Sequence, residues 1–237
     1  MNNPITIFTD GAAKGNPGRG GFGVVISYPD KVVEIGGHKP RTTNNEMELK
    51  AVVEALKAVA TEGVPVAIYT DSKYVVEGAT GWIFGWQKNG WKTMAKTDVI
   101  NKELWQELIP LLKKVTVDWH KVPGHVGIAG NERVDTIAST FAEKGTCELY
   151  TGPKSNYGFN IEDTSFDEAK AKERSDARKR SAQTAYSYIS AVDGVVQIHK
   201  TWKECEARVK GKKGVRFKKS LDASNEKEII RDFGGKV

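Results

Sequence analysis

Strand-like and helix-like segments alternate in a fixed order over residues 4–143, and this order limits the fold more strongly than any other property of the chain. A short strand, ITIFTD, is followed by a Gly-rich turn and by two segments, GFGVVISYP and KVVEIGGH, that are typical of a β-hairpin. The patterns that follow predict a helix at 43–61, a strand at 66–71, helices near 72–79 and 101–112, a strand at 115–120 and a helix at 131–143. This order predicts an α/β fold, a mixed sheet with helices on its faces.

The predicted helix at residues 43–61 carries an acid on the side that should face the sheet. It opens with Thr43-Asn-Asn-Glu46, a capping box in which each side chain can satisfy a free backbone N–H of the first turn. At a period of 3.6 residues, Glu48 falls on the same stripe as Val52 and other apolar residues. A carboxylate on a buried stripe needs a partner for its charge.

Three further acids occupy comparable positions. Asp10 and Asp71 end the predicted strands ITIFTD and VAIYTD, where they should project at the rim of the sheet, and Asp135 lies on the inward seam of the last helix. Singly, each acid has an ordinary explanation, since an Asp at a strand end often caps a turn and a Glu near a helix start interacts favourably with the helix dipole. That explanation does not account for all four acids on inward-facing positions.

Four converging carboxylates would repel one another, and a divalent cation removes that repulsion. Mg²⁺ prefers hard oxygen ligands, and two such ions about 4 Å apart can activate water and stabilise a leaving oxygen in phosphodiester cleavage. We therefore predict a site for two Mg²⁺ ions, with Mn²⁺ as a substitute. Its ligands are Asp10, Glu48, Asp71 and Asp135.

The positive charge of the chain is confined to its C-terminal part. Residues 1–150 hold 17 basic and 17 acidic residues, whereas residues 151–237 hold 19 and 13, which gives the net charge of +6. Within residues 195–220, nine basic residues occur with two acidic ones, alongside Trp202 and Phe217. This composition favours a polyanion-binding module, although a solvated basic surface would have the same charge.

Residues 146–183 differ from both flanks because they are turn-rich and highly charged, with few apolar residues to bury. We predict a linker there, flexible or partly helical. It would join a domain at residues 1–145 to a small basic α/β module at residues 184–237, whose pattern predicts two strands, a helix, a third strand and a helix at 225–232. A module of about 50 residues is near the lower limit for independent folding.

Cysteine content and hydropathy exclude several classes of protein. The two cysteines, Cys147 and Cys205, support neither a disulfide scaffold nor a zinc site. The sequence has no uncharged apolar stretch of roughly 18 residues, as a membrane span needs, and its N-terminus has no secretory pattern. We therefore expect a cytoplasmic protein without membrane contact, with a monomer favoured.

Five motifs, in order along the chain, resemble those of type 1 ribonuclease H. They are TDG at 9–11, TTNNEMEL at 42–49, YTDSKYV at 69–75, GWIFGWQKNGWKT at 81–93 and GHVGIAGNERVD at 124–135. The resemblance covers about residues 1–145 and implies a five-stranded mixed sheet flanked by helices, with Mg²⁺-dependent cleavage of the RNA strand of RNA/DNA hybrids. It also implies that the four acids bind the metal ions and that His125, in the loop before the last helix, assists protonation or product departure.

The same resemblance implies which residues contact the substrate. The minor groove, where the 2′-hydroxyl distinguishes RNA from DNA, would be contacted by Asn16, Asn44 and Asn45. The residues that match a DNA phosphate pocket are Arg41, Thr43 and Asn101, and those that match a basic protrusion against DNA sugars and phosphates are Trp82, Trp86, Lys88 and Lys92. Thr43 can also be only an N-cap, and the tryptophans can belong to the core.

The C-terminal part, about residues 186–233, resembles the hybrid-binding domain of eukaryotic ribonucleases H, also found in caulimovirus viroplasmin. The likeness rests on the segment TWKECEARVKGKKGVRFKKS. It implies that Trp202 and Phe217 lie against DNA sugars and that Lys218 and Lys219 hold phosphates. In that family the module usually precedes the nuclease, whereas here it follows.

We therefore predict an endonuclease that hydrolyses the RNA strand of RNA/DNA hybrids and leaves 3′-hydroxyl and 5′-phosphate ends. Its C-terminal module would add affinity for hybrid, with double-stranded RNA as a second partner. Two alternatives stay open. One is another nuclease or strand-transfer enzyme of the same fold, such as an integrase, which the NNEMEL motif and the aromatic protrusion disfavour. The other is a non-catalytic binder of hybrid or double-stranded RNA, which the four intact acids disfavour.

Overall fold

The computed structural model describes residues 5–124, 127–165, 168–169, 172–173, 176 and 183–235, and the chain divides into two units, Met1–Ala171 and Lys172–Val237. The strands of the first unit are β1 Ile5–Gly15, β2 Gly18–Ser27, β3 Lys31–Thr42, β4 Val66–Thr70, β5 Val117–Lys121 and β6 Thr151–Pro153. They form one mixed sheet in the order β5-β4-β1-β2-β3-β6. The β1–β4 and β4–β5 pairs are parallel, and the other pairs are antiparallel.

Helices cover both faces of this sheet. They are α1 Asn44–Val59, α2 Lys73–Glu77, α3 Ile83–Lys88, α4 Lys102–Lys114 and α5 Ala129–Lys144, with a π-helical turn, Gly78–Trp82, between α2 and α3. α1 and α4 pack on one face around Ile7, Val24 and Leu56, and α5 packs on the opposite face around Phe8 and Val25. The strand alternation explains this division, because successive side chains of β1 and β2 point to opposite faces.

Strand β1 is longer than the sequence predicts. The predicted strand ends at Asp10, whereas β1 continues to Gly15 as one arm of a hairpin with β2. The prediction was wrong because the small residues after Asp10 resemble a turn, although they pair regularly with β2. Pairing with β4 ends at Phe8, opposite Tyr69. Asp10 therefore lies where β1 leaves its parallel neighbour, at the same edge where Asp71 follows β4.

The start of α1 also differs from the prediction in one contact. Thr43 is the N-cap, and its hydroxyl accepts a hydrogen bond from the Glu46 N–H at 3.3 Å. The Glu46 carboxylate accepts from the Thr42 hydroxyl at 2.7 Å and pairs with Lys39 on β3, rather than returning to the backbone of Thr43. Half of the predicted capping box is thus replaced by a link between α1 and β3.

Residues 146–165, here called the extension, belong to the first unit and pack against the rest of it. β6 pairs with β3 through Lys31–Val33, and the side chain of Ile161 is buried in the α5 core. The sheet therefore has six strands rather than the five that the resemblance implies. Strand β6 was interpreted as part of the linker because its three residues, Thr151–Pro153, lie in a turn-rich stretch and have no hydrophobic period of their own.

A fragment that ends at residue 145 should be less stable than one that ends at residue 165. Without the extension, the buried carboxylate of Glu34 loses hydrogen bonds from Tyr150 and Tyr157. A hydrogen bond to a charged group is worth about 1.5–3 kcal/mol, so the loss of both corresponds to a fall in Tm of roughly 5–20 °C for a domain of this size. Thermal unfolding of the two fragments at pH 7 measures the difference, and equal Tm values would show that the extension does not stabilise the fold.

The second unit is a small sheet with one helix on each face. Its strands are β7 Ser187–Val192, β8 Val195–His199 and β9 Arg216–Ser220, in the antiparallel order β8-β7-β9, and its helices are α6 Trp202–Val209 and α7 Ala223–Asp232. Arg208 of α6 donates to the Ser190 hydroxyl at 2.7 Å, whereas Ile229 and Ile230 of α7 pack against Ile189 on the other face. In the described part of the chain, every helix is too short or too polar to cross a membrane.

Candidate active site

Three carboxylates meet at the edge of the sheet where the parallel strands end. Asp10 on β1, Glu48 on α1 and Asp71 just after β4 each offer an oxygen atom, and these atoms lie within 4.8 Å of one another. Asp135 on α5 lies close enough for its charge to act on Asp10. The structure thus brings the four acids singled out in the sequence to one place.

Gly11 allows β1 to approach α1 closely enough for Asp10 and Glu48 to meet. A Cβ atom at Gly11 would lie 2.1 Å from the backbone nitrogen of Glu48 and 2.4 Å from the carbonyl carbon of Met47. Any larger residue would push the strand and the helix apart. The Gly11 N–H also donates to Oδ1 of Asp10 at 2.7 Å and so orients that carboxylate.

Ser72 holds the second carboxylate in place. Its hydroxyl donates to Oε2 of Glu48 and accepts the Val75 N–H at 3.2 Å as the N-cap of α2. This buried hydroxyl links α1 to the turn that carries Asp71. The sequence analysis missed both Gly11 and Ser72, although each directly follows a predicted metal ligand in the TDG and TDS segments.

Burial and mutual repulsion change the protonation of the cluster. Loss of hydration, followed by the charge of Asp71, raises the pKa of Asp10 to about 8 against the opposing Gly11 hydrogen bond, and the charges of Asp135 and Glu48 add to the rise. Burial also raises the pKa of Glu48 against the hydrogen bond from Ser72, again with a contribution from Asp71. Such shifts are typical of carboxylates that share one small space, and they occur preferentially at functional sites.

The cluster fits a divalent cation. All of its candidate ligands are hard carboxylate oxygens, which suit Mg²⁺, and a bound cation would remove the repulsion that raises the pKa of Asp10. All four acids are half-buried, so the site is accessible from solvent. The residue types and their spacing therefore agree with the metal site predicted from the sequence.

The predicted catalytic histidine, His125, lies outside the described residues. Its described neighbour Gly127 donates its N–H to Oε1 of Glu132 at 3.0 Å. This contact ties the end of the loop to the first turn of α5.

The predicted minor-groove residues lie in or next to the first turn of α1. The Asn44 N–H donates to Oδ1 of Asn16 at 3.3 Å, so the β1–β2 loop and the helix start adjoin. Asn16, Asn44 and Asn45 are exposed, as is Arg41. The hydroxyl of Thr43 caps α1, which is the structural role that the sequence left open for it.

Asn101 is held beside an aromatic cluster in an uncommon backbone conformation. It precedes α4 with φ 59° and ψ 31°, a left-handed conformation that Asn tolerates better than most residues. Its side-chain amide donates to the Tyr74 hydroxyl at 3.1 Å, and the same hydroxyl accepts the Trp105 Nε1–H at 2.9 Å. Tyr74, which the sequence analysis did not single out, therefore orients Asn101.

Of the two tryptophans singled out in the predicted protrusion, one is exposed to solvent. Trp82 and Trp86 are neighbours with ring centroids 5.7 Å apart; Trp82 is 39% exposed, while Trp86 packs against the core on the α1 and α4 side. Trp82 is thus open to solvent, and Trp86 packs between it and the core. Lys88 and Lys92 are exposed, and Lys92 pairs with Asp98 at 2.7 Å.

In the second unit, Trp202 and Phe217 form an exposed aromatic row with Tyr188. The ring centroids of Tyr188 and Trp202 are 5.7 Å apart, and those of Trp202 and Phe217 are 5.4 Å apart. Strand alternation places Lys219 on the same face of β9 as Phe217 and places Lys218 on the opposite face. The sequence prediction grouped both lysines with the aromatic residues, whereas the geometry groups only Lys219 with them.

This chain is similar to several known ribonucleases H. The family model for RNase H matches residues 2–143. Ribonuclease H from Thermosynechococcus vestitus is 53% identical over 156 residues, which cover 65% of this chain and 98% of the relative. Ribonuclease H from Neisseria gonorrhoeae is 50% identical over 139 residues, which cover 59% of this chain and 95% of the relative. Among solved structures, LC9-RNase H1, a type 1 RNase H with the type 2 active-site motif, matches with a TM-score of 0.57 at 32% identity, over 64% of this chain and 79% of that one.

The matched family model covers more than half of the chain and includes all four clustered acids. The predicted α/β fold of the ribonuclease H kind, with helices on both faces of a mixed sheet and a small second module, is confirmed. The predicted resemblance to type 1 ribonuclease H is confirmed as well. The chain belongs to the ribonuclease H family of hydrolases.

Proposed function

We propose that this protein is an endonuclease that hydrolyses the RNA strand of RNA/DNA hybrids by two-metal-ion catalysis and leaves 3′-hydroxyl and 5′-phosphate ends. The observation that carries the proposal is the convergence of Asp10, Glu48 and Asp71 within 4.8 Å, with the charge of Asp135 acting on the same place. Membership of the ribonuclease H family supports the hybrid as substrate.

The residues that would hold two Mg²⁺ ions, or Mn²⁺ in their place, are Asp10, Glu48, Asp71 and Asp135. Bound there, the ions would supply activation of a water molecule and stabilisation of the leaving oxygen. The chain itself contributes orientation, because the Gly11 N–H fixes the carboxylate of Asp10 and the Ser72 hydroxyl fixes that of Glu48. These contacts reduce the freedom of the ligands before any ion or substrate binds.

Recognition of a hybrid requires groups that detect the RNA 2′-hydroxyl and groups that accept a DNA strand. Amides suit the first task because they donate and accept hydrogen bonds. Three exposed amides lie at or next to the first turn of the helix that carries Glu48: Asn16, Asn44 and Asn45. The residues proposed for the DNA strand are Arg41, Thr43 and Asn101 at a phosphate and Trp82, Trp86, Lys88 and Lys92 along the next sugars and phosphates. The left-handed Asn101, held by Tyr74, supports a defined phosphate pocket rather than a general basic surface.

His125→Ala should slow turnover by about 10²-fold without abolishing it, because general acid–base assistance is typically worth 10²–10⁴-fold. We propose that His125 assists protonation or product departure and does not hold the metal ions. Steady-state kinetics at saturating Mg²⁺ measure the effect. Complete loss of activity in a folded His125→Ala protein would assign a different role to His125.

We further propose that the second unit adds affinity for hybrid. Trp202 and Phe217 are 41% and 52% exposed and adjoin each other, which gives an apolar surface suited to sugars. Lys219 shares their face and Lys218 is exposed on the other face of the same edge strand, so both supply positive charge for phosphates. Double-stranded RNA is the competing ligand for this unit.

Cleavage of strand-labelled substrates tests the proposal directly. Hybrid, double-stranded RNA and double-stranded DNA of one sequence are incubated with the protein in Mg²⁺ or in EDTA. We expect cleavage of the hybrid alone, in its RNA strand alone, with 5′-phosphate ends and only in the presence of Mg²⁺. Cleavage of double-stranded DNA would favour another nuclease of this fold, and binding without cleavage of any substrate would favour a non-catalytic binder.

A further inference from the structure

A buried ion pair, Glu34–Arg133, lies on the α5 side of the sheet and is not part of the carboxylate cluster. Glu34 on β3 has a fully buried side chain that receives four hydrogen bonds from described residues. Arg133 donates through Nε and Nη2, both at 2.7 Å, the Tyr150 N–H donates at 2.9 Å, and the Tyr157 hydroxyl donates at 2.6 Å. Burial alone would raise the pKa of Glu34, but these hydrogen bonds outweigh it and hold the pKa below its usual range.

The arginine of this pair sits in the same helical stretch as Asp135. Both belong to the first half of α5, two residues apart, and α5 begins after Ile128, whose side chain cannot accept a capping hydrogen bond. Two apolar side chains of this stretch, Val134 and Ile137, pack in the core with Phe8. Apolar packing is not directional, so it leaves small rotations and shifts of a helix weakly specified. A bidentate guanidinium–carboxylate contact is directional at two points.

We infer that the Glu34–Arg133 pair is a positioning pair that fixes the start of α5 and thereby the carboxylate of Asp135, and that the extension closes this pair through Tyr150 and Tyr157. The inference rests on the proposed function, because it takes Asp135 as a metal ligand. Mg²⁺ demands near-ideal octahedral geometry, so a small displacement of one ligand weakens binding. Neither Glu34 nor Arg133 touches the substrate or the ions in this assignment.

The extension contacts both members of the pair. The rings of Tyr150 and Tyr157 contact each other at a tilt, with centroids 5.0 Å apart, and the Arg133 guanidinium lies 5.6 Å from the centroid of the Phe159 ring. The Glu34 N–H in turn donates to the Tyr150 carbonyl at 2.8 Å. A charge pair enclosed in this way is shielded from water, which strengthens its directional hold on α5. The segment after α5 thus acts on a site residue that lies within the helix before it.

Arg133→Lys in the full-length chain separates positioning from simple charge pairing, because lysine keeps the charge but not the two-point fork. Calorimetric titration with Mn²⁺, and with Mg²⁺ where heats allow, should show metal affinity weakened by about tenfold, the lower end of what outer-shell partners typically contribute. The Mg²⁺ concentration for half-maximal cleavage should rise by about the same factor, while the hybrid KM at saturating Mg²⁺ stays within about twofold. Tyr157→Phe should produce a smaller shift in the same direction.

Leu108→Ala is the matched control for stability. Leu108 is fully buried on α4, on the opposite face of the sheet from α5, so its truncation lowers Tm through a cavity without touching the pair. We expect its metal affinity to equal that of wild type. A metal affinity that falls in step with Tm in both Leu108→Ala and Arg133→Lys would overturn the inference, because the pair would then serve stability alone.

A double variant keeps the test decisive if single changes at the pair prevent folding. Glu34→Leu with Arg133→Met removes both charges, and replacing a buried ion pair by apolar residues is often tolerated. We expect this protein to fold and still to bind Mn²⁺ about tenfold more weakly than wild type. Wild-type metal affinity in the folded double variant would overturn the inference while leaving the proposed function intact. Failure of the wild-type protein itself to bind metal and to cleave hybrid would instead overturn the proposed function.

Discussion

Asp10→Asn should reduce hybrid cleavage by about 10⁴-fold or more while leaving hybrid binding nearly unchanged. The carboxylate lies in the cluster with Glu48 and Asp71 and belongs to the proposed metal ligands. A bound cation is worth several kcal/mol of charge stabilisation in the transition state, and each 1.4 kcal/mol is about a factor of ten in rate. Affinity for nucleic acid, in contrast, arises mostly from phosphate contacts, which the substitution does not alter.

The same substitution should raise Tm in metal-free buffer. Burial, and then the charge of Asp71, raise the pKa of Asp10 from 3.8 to about 8. A raised carboxyl pKa means that the folded state favours the protonated form of Asp10. The contribution of Asp10 to stability is therefore complete below its ordinary pKa of 3.8 and is lost as pH rises towards about 8. Asparagine does not ionise. The advantage of Asp10→Asn over wild type in Tm should therefore grow from pH 4 to pH 8.

Glu62→Gln is the matched control, because it removes the same charge at an exposed position in the turn after α1. Single-turnover cleavage in Mg²⁺, hybrid binding by fluorescence anisotropy in EDTA and thermal unfolding across pH compare the two variants with wild type. The control should cleave normally and show no pH-dependent gain in Tm. Near-normal turnover of Asp10→Asn in Mg²⁺ would contradict the assignment of Asp10 as a metal ligand.

The main elements of the fold could be predicted because their signals are local. The apolar period of α1 and the cap at Thr43 depend only on neighbouring residues, and the helix at Asn44–Val59 lies close to the predicted bounds. β6 could not be predicted in the same way. Its three residues have no periodic pattern, and its place in the sheet depends on pairing with Lys31–Val33, which are distant in sequence.

The acids of the site could be singled out because a carboxylate on an apolar stripe conflicts with local rules, and such conflicts concentrate at functional sites. Glu34, in contrast, could not be singled out in this way. It lies in the strand segment KVVEIGG, where an acid between apolar residues resembles the solvent-facing position of an ordinary strand, yet it is only 4% exposed. Its burial depends on β3, Arg133 of α5 and the extension meeting in space, and neither strand nor helix periodicity contains that information.

Removal of the second unit should weaken binding to long hybrids by about 10²-fold or more at low salt, because a tethered second module raises the local concentration of substrate. The fragment should end at residue 165, so that it keeps the extension and the hydrogen bonds of Tyr150 and Tyr157 to Glu34. The single-turnover rate at saturating hybrid should equal that of the full-length protein, since the four acids are retained. A fragment cut at residue 145 would confuse loss of affinity with loss of stability.

The contribution of the second unit should fade as salt increases. Each lysine that neutralises a phosphate, Lys218 and Lys219 among them, adds about 0.9 to the slope of log K against log salt, with duplex DNA as the guide. Trp202→Ala with Phe217→Ala in the full-length chain should reproduce much of the loss in affinity but little of the loss in slope, because their contact with sugars is apolar.

Val195→Ala separates that aromatic contact from a general loss of exposed apolar surface. Val195 is 60% exposed at the start of β8 and lies outside the aromatic row, so we expect wild-type affinity from it. Hybrid affinity is measured for the fragment, the double variant and the control at two salt concentrations, with double-stranded RNA as a competitor. Preferential loss of double-stranded RNA binding would reassign the ligand of the second unit. Unchanged affinity and an unchanged salt slope in the fragment would mean that the basic run is only a solvated face, because a surface that neutralises no phosphates releases no counterions.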